Sequence, residues 1–132
     1  MTGSSAGGVV QSLARRSVLA VDDEKNFLTL LNWFLTQKGY EAYTASNVDE
    51  ALLLAQERTF DVALLDIRIG SNNDGIFLLD ELTQRLPGIK VIMMTAYPTV
   101  SAIKQAFDKG ASRFLTKPVD LPELSEAIKA LL

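Results

Sequence analysis

The chain has 132 residues, 48% of them apolar, and a formal net charge of -3, values that fit one domain with a real core. With no cysteine and no histidine, disulfides, thiolate metal sites, His-based triads and His-ligated zinc are excluded. Acids and bases are interspersed, and no apolar run is long enough to span a bilayer. Neither nucleic acid nor a membrane is therefore expected as a direct partner, and a cytoplasmic location is expected.

Residues 1–16 are small, polar and Gly/Ser-rich, with Arg15 and Arg16 at the end. They read as a flexible lead-in, native or left over from expression, and the folded domain is expected at residues 17–132. From Ser17 onward, strand-like and helix-like patterns alternate. The strand-like runs are residues 18–21, 41–45, 62–65, 91–94 and 113–115.

Phe27, Leu30, Leu31, Phe34 and Leu35 share one face of a first helical pattern, which Gly39 ends. Phe27, Trp33 and Phe34 read as helix packing rather than as a cofactor box. Asn47 with Glu50 resembles a capping box before Ala51, Leu52 and Ala55. Asp74-Gly75 starts a third pattern carrying Leu78, Leu79, Leu82 and Leu86 and stopping near Pro87-Gly88. Pro98 opens a fourth, with Ile103, Ala106 and Phe107 inside and Gly110 at its end. Asp120, Pro122 and Glu123 start a fifth with Leu124, Ile128 and Leu131.

Five strands alternating with five helices predict an α/β domain: a parallel sheet covered on both faces. In such a sheet, ligands bind beyond the carboxyl ends of the strands. Asp22 and Asp23 follow the first strand, Asp66 the third, Thr95 and Ala96 the fourth, and Lys117 the fifth. Any one of these reads as a turn, cap or strand residue. Complementary chemistry at four strand ends does not. Clustered carboxylates need a cation, and oxygen-only ligands suit magnesium. The first turn has no phosphate-cradling glycines, and no GxxxxGK[ST] loop exists. These features favour magnesium-assisted phosphoryl transfer with Asp66 as the nucleophile, since a carboxylate can form an acyl phosphate.

The segments "VLAVDDE", "DVALLDIRI…DG", "VIMMTA" and "GASRFLTKP" resemble the response-regulator receiver domain of two-component signalling. The resemblance runs from Val18 to the end. It implies a five-stranded parallel sheet in order 2-1-3-4-5, the flavodoxin-like arrangement. It further implies that Asp66 accepts a phosphoryl group from a histidine kinase or phosphotransfer protein. Asp22, Asp23, Asp66 and the carbonyl of Arg68 would hold Mg2+, while Thr95 and Lys117 would contact the phosphoryl group. Phe114 matches the family's switch aromatic. Tyr97 would flank the phosphoryl site or face solvent, and Arg68 and Tyr97 lie where family side chains border the path of attacking water.

One stretch departs from the family pattern. "DIRIGSNNDG" has no proline after the phosphoacceptor and one extra residue, so a more mobile loop is expected there. Partners implied by the resemblance are a sensor kinase and an output domain or protein. A homodimer through the surface of the fourth helix, fifth strand and fifth helix is a further one. The alternative readings are a receiver-like interaction module that is never phosphorylated, and a magnesium-dependent hydrolase of external phosphoesters. The first predicts loss of the acids or the lysine, and none is lost. The second needs an acid/base for the leaving group, and no candidate is visible beyond the switch residues.

Overall fold

Side chains pointing alternately to the two faces of five short strands build two apolar layers on one sheet. The computed structural model describes residues 15–70 and 73–132. The strands are β1 (Ser17–Val21), β2 (Glu41–Ala45), β3 (Val62–Asp66), β4 (Lys90–Thr95) and β5 (Arg113–Thr116). The helices are α1 (Lys25–Gln37), α2 (Val48–Glu57), α3 (Asp74–Arg85), α4 (Val100–Asp108) and α5 (Leu121–Leu131). All strand pairs are parallel, in the order β2-β1-β3-β4-β5. This is the expected order. Of the expected flexible segment 1–16, all but Arg15 and Arg16 lies outside the described residues, as do positions 71 and 72 of the long loop.

Successive strand residues point to opposite faces. Val18, Ala20, Val62, Leu64, Ile92 and Met94 face α1 and α5, where Leu31, Leu35, Leu124 and Ile128 meet them. Leu19, Val21, Ala63, Leu65, Val91 and Met93 face the other layer, with Leu78, Leu79 and Leu82 of α3 and Ala106 of α4. Strands buried on both sides are why these runs read as continuous apolar sequence. Each fully buried leucine or isoleucine contributes about 1.5–3 kcal/mol, so three such anchors hold a helix such as α1 to the sheet.

The helix starts follow local chemistry. Asn47 accepts from the Glu50 backbone N–H at 2.8 Å, Thr99 from Ala102 at 3.0 Å, and Asp120 from Glu123 at 3.1 Å. The Glu50 carboxylate accepts from the backbone N–H of Ser46, one residue before the cap, rather than from Asn47 itself. That bond, with a second from the Ser46 hydroxyl, lowers the Glu50 pKa.

Three expectations need correction. On α1 the buried face is Leu28, Leu31 and Leu35, and Leu30 is 42% exposed. Trp33 on the same helix is 58% exposed, so it does not pack inward. On α4, Phe107 is 47% exposed and Ala106 alone is fully buried. The α4 start is set by the Thr99 cap: Val100, two residues after Pro98, is the first helical residue.

Candidate phosphoacceptor and metal site

Parallel register brings the carboxyl ends of the strands side by side. Val21 pairs with both Ala45 and Leu65, Asp66 with Met94, and Thr95 with Thr116. The residues immediately past these pairs converge at one edge. Backbone bonds carry the ladder into the loops: Asp22 donates its N–H to Ala45 at 3.2 Å, and Lys117 to Thr95 at 2.7 Å.

Asp22 and Asp66 are buried and Asp23 is exposed, yet one carboxylate oxygen from each lies within 4.8 Å of the others. The Lys117 ammonium donates to Asp22 Oδ2 at 2.5 Å and to Asp66 Oδ2 at 3.1 Å. Three carboxylates against one ammonium leave two negative charges in excess, and a close group of like charges requires a counter-cation. The donors are all oxygen and one of them is reachable from solvent. This set fits a hard divalent cation such as Mg2+.

Burial raises the pKa of Asp66, against the opposing pull of Lys117. For Lys117, burial lowers the pKa, but the hydrogen bond and charge of Asp22 and those of Asp66 outweigh it, and the net shift is upward. The ammonium therefore stays charged beside the carboxylate.

The other oxygens of the cluster are tied to backbone. Asp22 Oδ1 accepts from Glu24 N–H at 2.9 Å, Asp66 Oδ1 from Arg68 N–H at 3.2 Å, and Asp23 Oδ2 from Gly70 N–H at 3.0 Å. Gly70 holds φ +75°, a conformation other residues rarely adopt. Sequence reasoning gave Gly70 a part only in loop mobility; here its amide binds the exposed acid. A second glycine is equally specific. A Cβ on Gly75 would lie 2.0 Å from the backbone oxygen of Asp66, so α3 can approach the β3 end only with glycine there. The Asp-Gly pair in the sequence was a helix-start signal and carried no hint of this contact.

Thr95 is buried at the β4 end, and its hydroxyl accepts the Tyr97 N–H at 3.1 Å. It lines a cavity of about 280 Å³ with Ile67, Arg68, Tyr97 and Thr99. Tyr97 is 70% exposed, which puts its ring on the solvent side. Phe114 is half-buried, registered against Met93, and packs on the α2/α3/α4 layer. Asp22, Asp23, Asp66 and Lys117 thus meet directly, with Thr95 and Arg68 beside them. Tyr97 shares the cavity of Thr95 and Arg68, whereas Phe114 lies on β5 against the apolar layer and does not line that cavity.

The sequence matches the family profile described as the response regulator receiver domain across residues 18–129. The response regulator protein PilR of Pseudomonas aeruginosa is 38% identical over 91% of this chain, which covers 27% of that protein. The photosynthetic apparatus regulatory protein RegA of Cereibacter sphaeroides is 32% identical over 89% of this chain and 63% of its own length. The chain thus spans about a quarter of the PilR relative. Among solved structures, a CheY-like receiver domain from Methanospirillum hungatei superposes with TM-score 0.84 at 31% identity, covering 89% of this chain and 93% of that one. A response regulator from Burkholderia pseudomallei, solved with a phosphorylated aspartic acid, calcium ion and citrate, gives TM-score 0.80 at 29% identity. That match covers 85% of this chain and 65% of the other. Profile, relatives and fold agree, and the chain belongs to the response regulator receiver domain family.

Proposed function

We propose that this chain is a phosphoacceptor switch in which Asp66 takes a phosphoryl group from a phosphohistidine of a sensor kinase or phosphotransfer protein. The observation that carries the reading is the meeting of the Asp22, Asp23 and Asp66 carboxylates with the Lys117 ammonium at one sheet edge. An Asp66 carboxylate oxygen attacks phosphorus, the phosphorus–nitrogen bond breaks, and the imidazole, already protonated on its other ring nitrogen in the phosphohistidine, leaves neutral. Lys117 follows the developing charge from its contact with Asp66. Thr95 donates its hydroxyl to a phosphoryl oxygen, giving up the position in which it now accepts from Tyr97.

Asp22, Asp23 and Asp66 would hold Mg2+ together with the Arg68 carbonyl, and the bound ion would supply charge neutralisation at the phosphoryl oxygens. The Burkholderia neighbour's phosphorylated aspartate and calcium ion support this assignment. Several relatives are named transcriptional regulatory proteins, which supports a transcriptional output reached through a further domain or a partner. The output surface would be α4, β5 and α5, with self-association through it as one form of output.

The test is intact mass after incubation with acetyl phosphate and Mg2+. Wild type gains the mass of one phosphoryl group and Asp66→Asn gains none. An adduct that survives in Asp66→Asn, or no adduct on wild type, would contradict the proposal.

A further inference from the structure

The Lys117 ammonium has three N–H donors, and two of its neighbours are accounted for by Asp22 and Asp66. Its third neighbour is an aromatic ring. The ammonium sits over Phe27 at 4.9 Å from the ring centroid, within the range of cation–π attraction. Phe27 is the third residue of α1 and half-buried. It therefore stands only a few residues beyond the acids that the same lysine bridges.

The ring also closes one side of a groove of about 410 Å³ that reaches Lys117 from solvent. Glu24, Leu30, Ala96, Pro118 and Val119 line the rest. Glu24 is the acid in this groove that could draw the lysine away from the site. Among the described residues, Lys117 pairs with Asp22 and Asp66 and not with Glu24. A lysine stem carries four rotatable bonds and considerable rotamer freedom, so its position needs a restraint.

We propose that Phe27 is a positioning residue that acts through Lys117: its ring holds the ammonium over the Asp22–Asp66 pair and away from Glu24. The proposal rests on the phosphoacceptor reading for its kinetic consequence. A cation–π contact needs an aromatic face, so leucine, of similar bulk, does not replace it, whereas tyrosine does. Phe27→Leu phosphorylates about two- to fivefold more slowly with acetyl phosphate, and Phe27→Tyr retains the wild-type rate.

The contact itself is read by NMR of the Lys117 ε-methylene group in the metal-free protein, where ring current from Phe27 shifts it upfield. The shift is expected in wild type and Phe27→Tyr and lost in Phe27→Leu. Loss of the ring current follows from loss of the ring whatever its role, so positioning is read in the rate: a role confined to packing leaves Phe27→Leu, of similar bulk, phosphorylating as fast as wild type. Three results would overturn the proposal: an ordinary Lys117 ε-methylene position in wild type, a shift unchanged by Phe27→Leu, or equal phosphorylation rates in wild type and Phe27→Leu. The wild-type shift decides even if Phe27→Leu fails to fold. If wild type takes no phosphoryl group, the phosphoacceptor reading fails, while the metal-free shift still decides where Phe27 holds the lysine.

Discussion

Both ends of the sheet carry buried or half-buried acid, and the two ends use it differently. At the amino end, Asp61 Oδ2 accepts the Ser17 N–H at 2.9 Å, and Arg16 approaches Oδ1 at 3.8 Å. Its backbone is bonded to Ser17 and Lys90 as well. One carboxylate there meets one amide and one guanidinium, and its charge is matched. At the carboxyl end, three carboxylates cluster and the one ammonium there pairs with two of them, Asp22 and Asp66. A structural acid is satisfied where it stands, whereas the second cluster is stable only with a further cation or with a proton. The difference between a joint and a site is the uncompensated charge.

The largest effect that sharpens this comparison comes from Asp66→Asn. It is expected to abolish the phosphoryl adduct. It also changes stability in a definite direction. Burial raises the folded-state pKa of Asp66 above the ordinary carboxylate value, so the folded chain binds this proton more tightly than the unfolded chain. The group's contribution is thus most favourable at low pH and declines as pH rises from about 4 through the raised value. Asn has no such decline. Metal-free Asp66→Asn is expected to melt higher than wild type at neutral pH, with the gap closing on acidification. Thermal melts across that range check it, and a gap that widens on acidification would count against the charge account.

Next in size is the coupling of site to surface. Thr95→Ala should still be phosphorylated yet switch poorly, because the phosphorylated state loses the hydroxyl contact that draws Thr95 inward and leaves room for Phe114. Amide NMR with beryllofluoride, a phosphoryl mimic, measures this. A full wild-type shift pattern over residues 97–116 in Thr95→Ala would remove Thr95 from the coupling.

Arg68 and Tyr97 border the same cavity as Thr95. Their bulk is expected to slow in-line attack of water on the acyl phosphate, so Arg68→Ala and Tyr97→Ala should each shorten its lifetime severalfold. Unchanged decay of the adduct in both variants would rule out shielding. The smallest effect belongs to the other sheet end. Asp61→Ala should cost about 1 kcal/mol in a denaturant melt, the scale of one hydrogen bond, and leave phosphorylation untouched.

How far these features could be read from sequence depends on which physical rule governed each. The meeting of Asp22, Asp23, Asp66 and Lys117 was legible because parallel strands deliver their carboxyl-end residues to one edge, whereas the strand order came from the family resemblance alone. The α1 face was not. That helix carries Phe27, Leu28, Leu30, Leu31, Trp33, Phe34 and Leu35, too many apolar residues for the 3.6 period to define one stripe. The structure buries Leu28 instead of Leu30 and leaves Trp33 outside. Phe107 was misplaced because α4 packs on the core through its small residues, Ala106 and Ala102, and leaves the larger ring toward solvent. Phe27 read as packing, since nothing local in sequence reports a lysine ninety residues away. The tight approach at Gly75 and the Gly70–Asp23 bond depend on how a loop folds back, which no periodicity encodes.

The claim that uncompensated charge marks the site is tested most directly by Mg2+ titration of wild type, Asp23→Asn and Asp61→Ala, followed by NMR or calorimetry. Asp23 is the solvent-reachable member of the excess cluster, and Asp61 is the matched acid at the far end. Asp23→Asn is expected to weaken Mg2+ binding by about tenfold or more, the scale seen when groups around a metal are removed, while Asp61→Ala binds as wild type does. Equal Mg2+ affinity in wild type and Asp23→Asn would contradict the account.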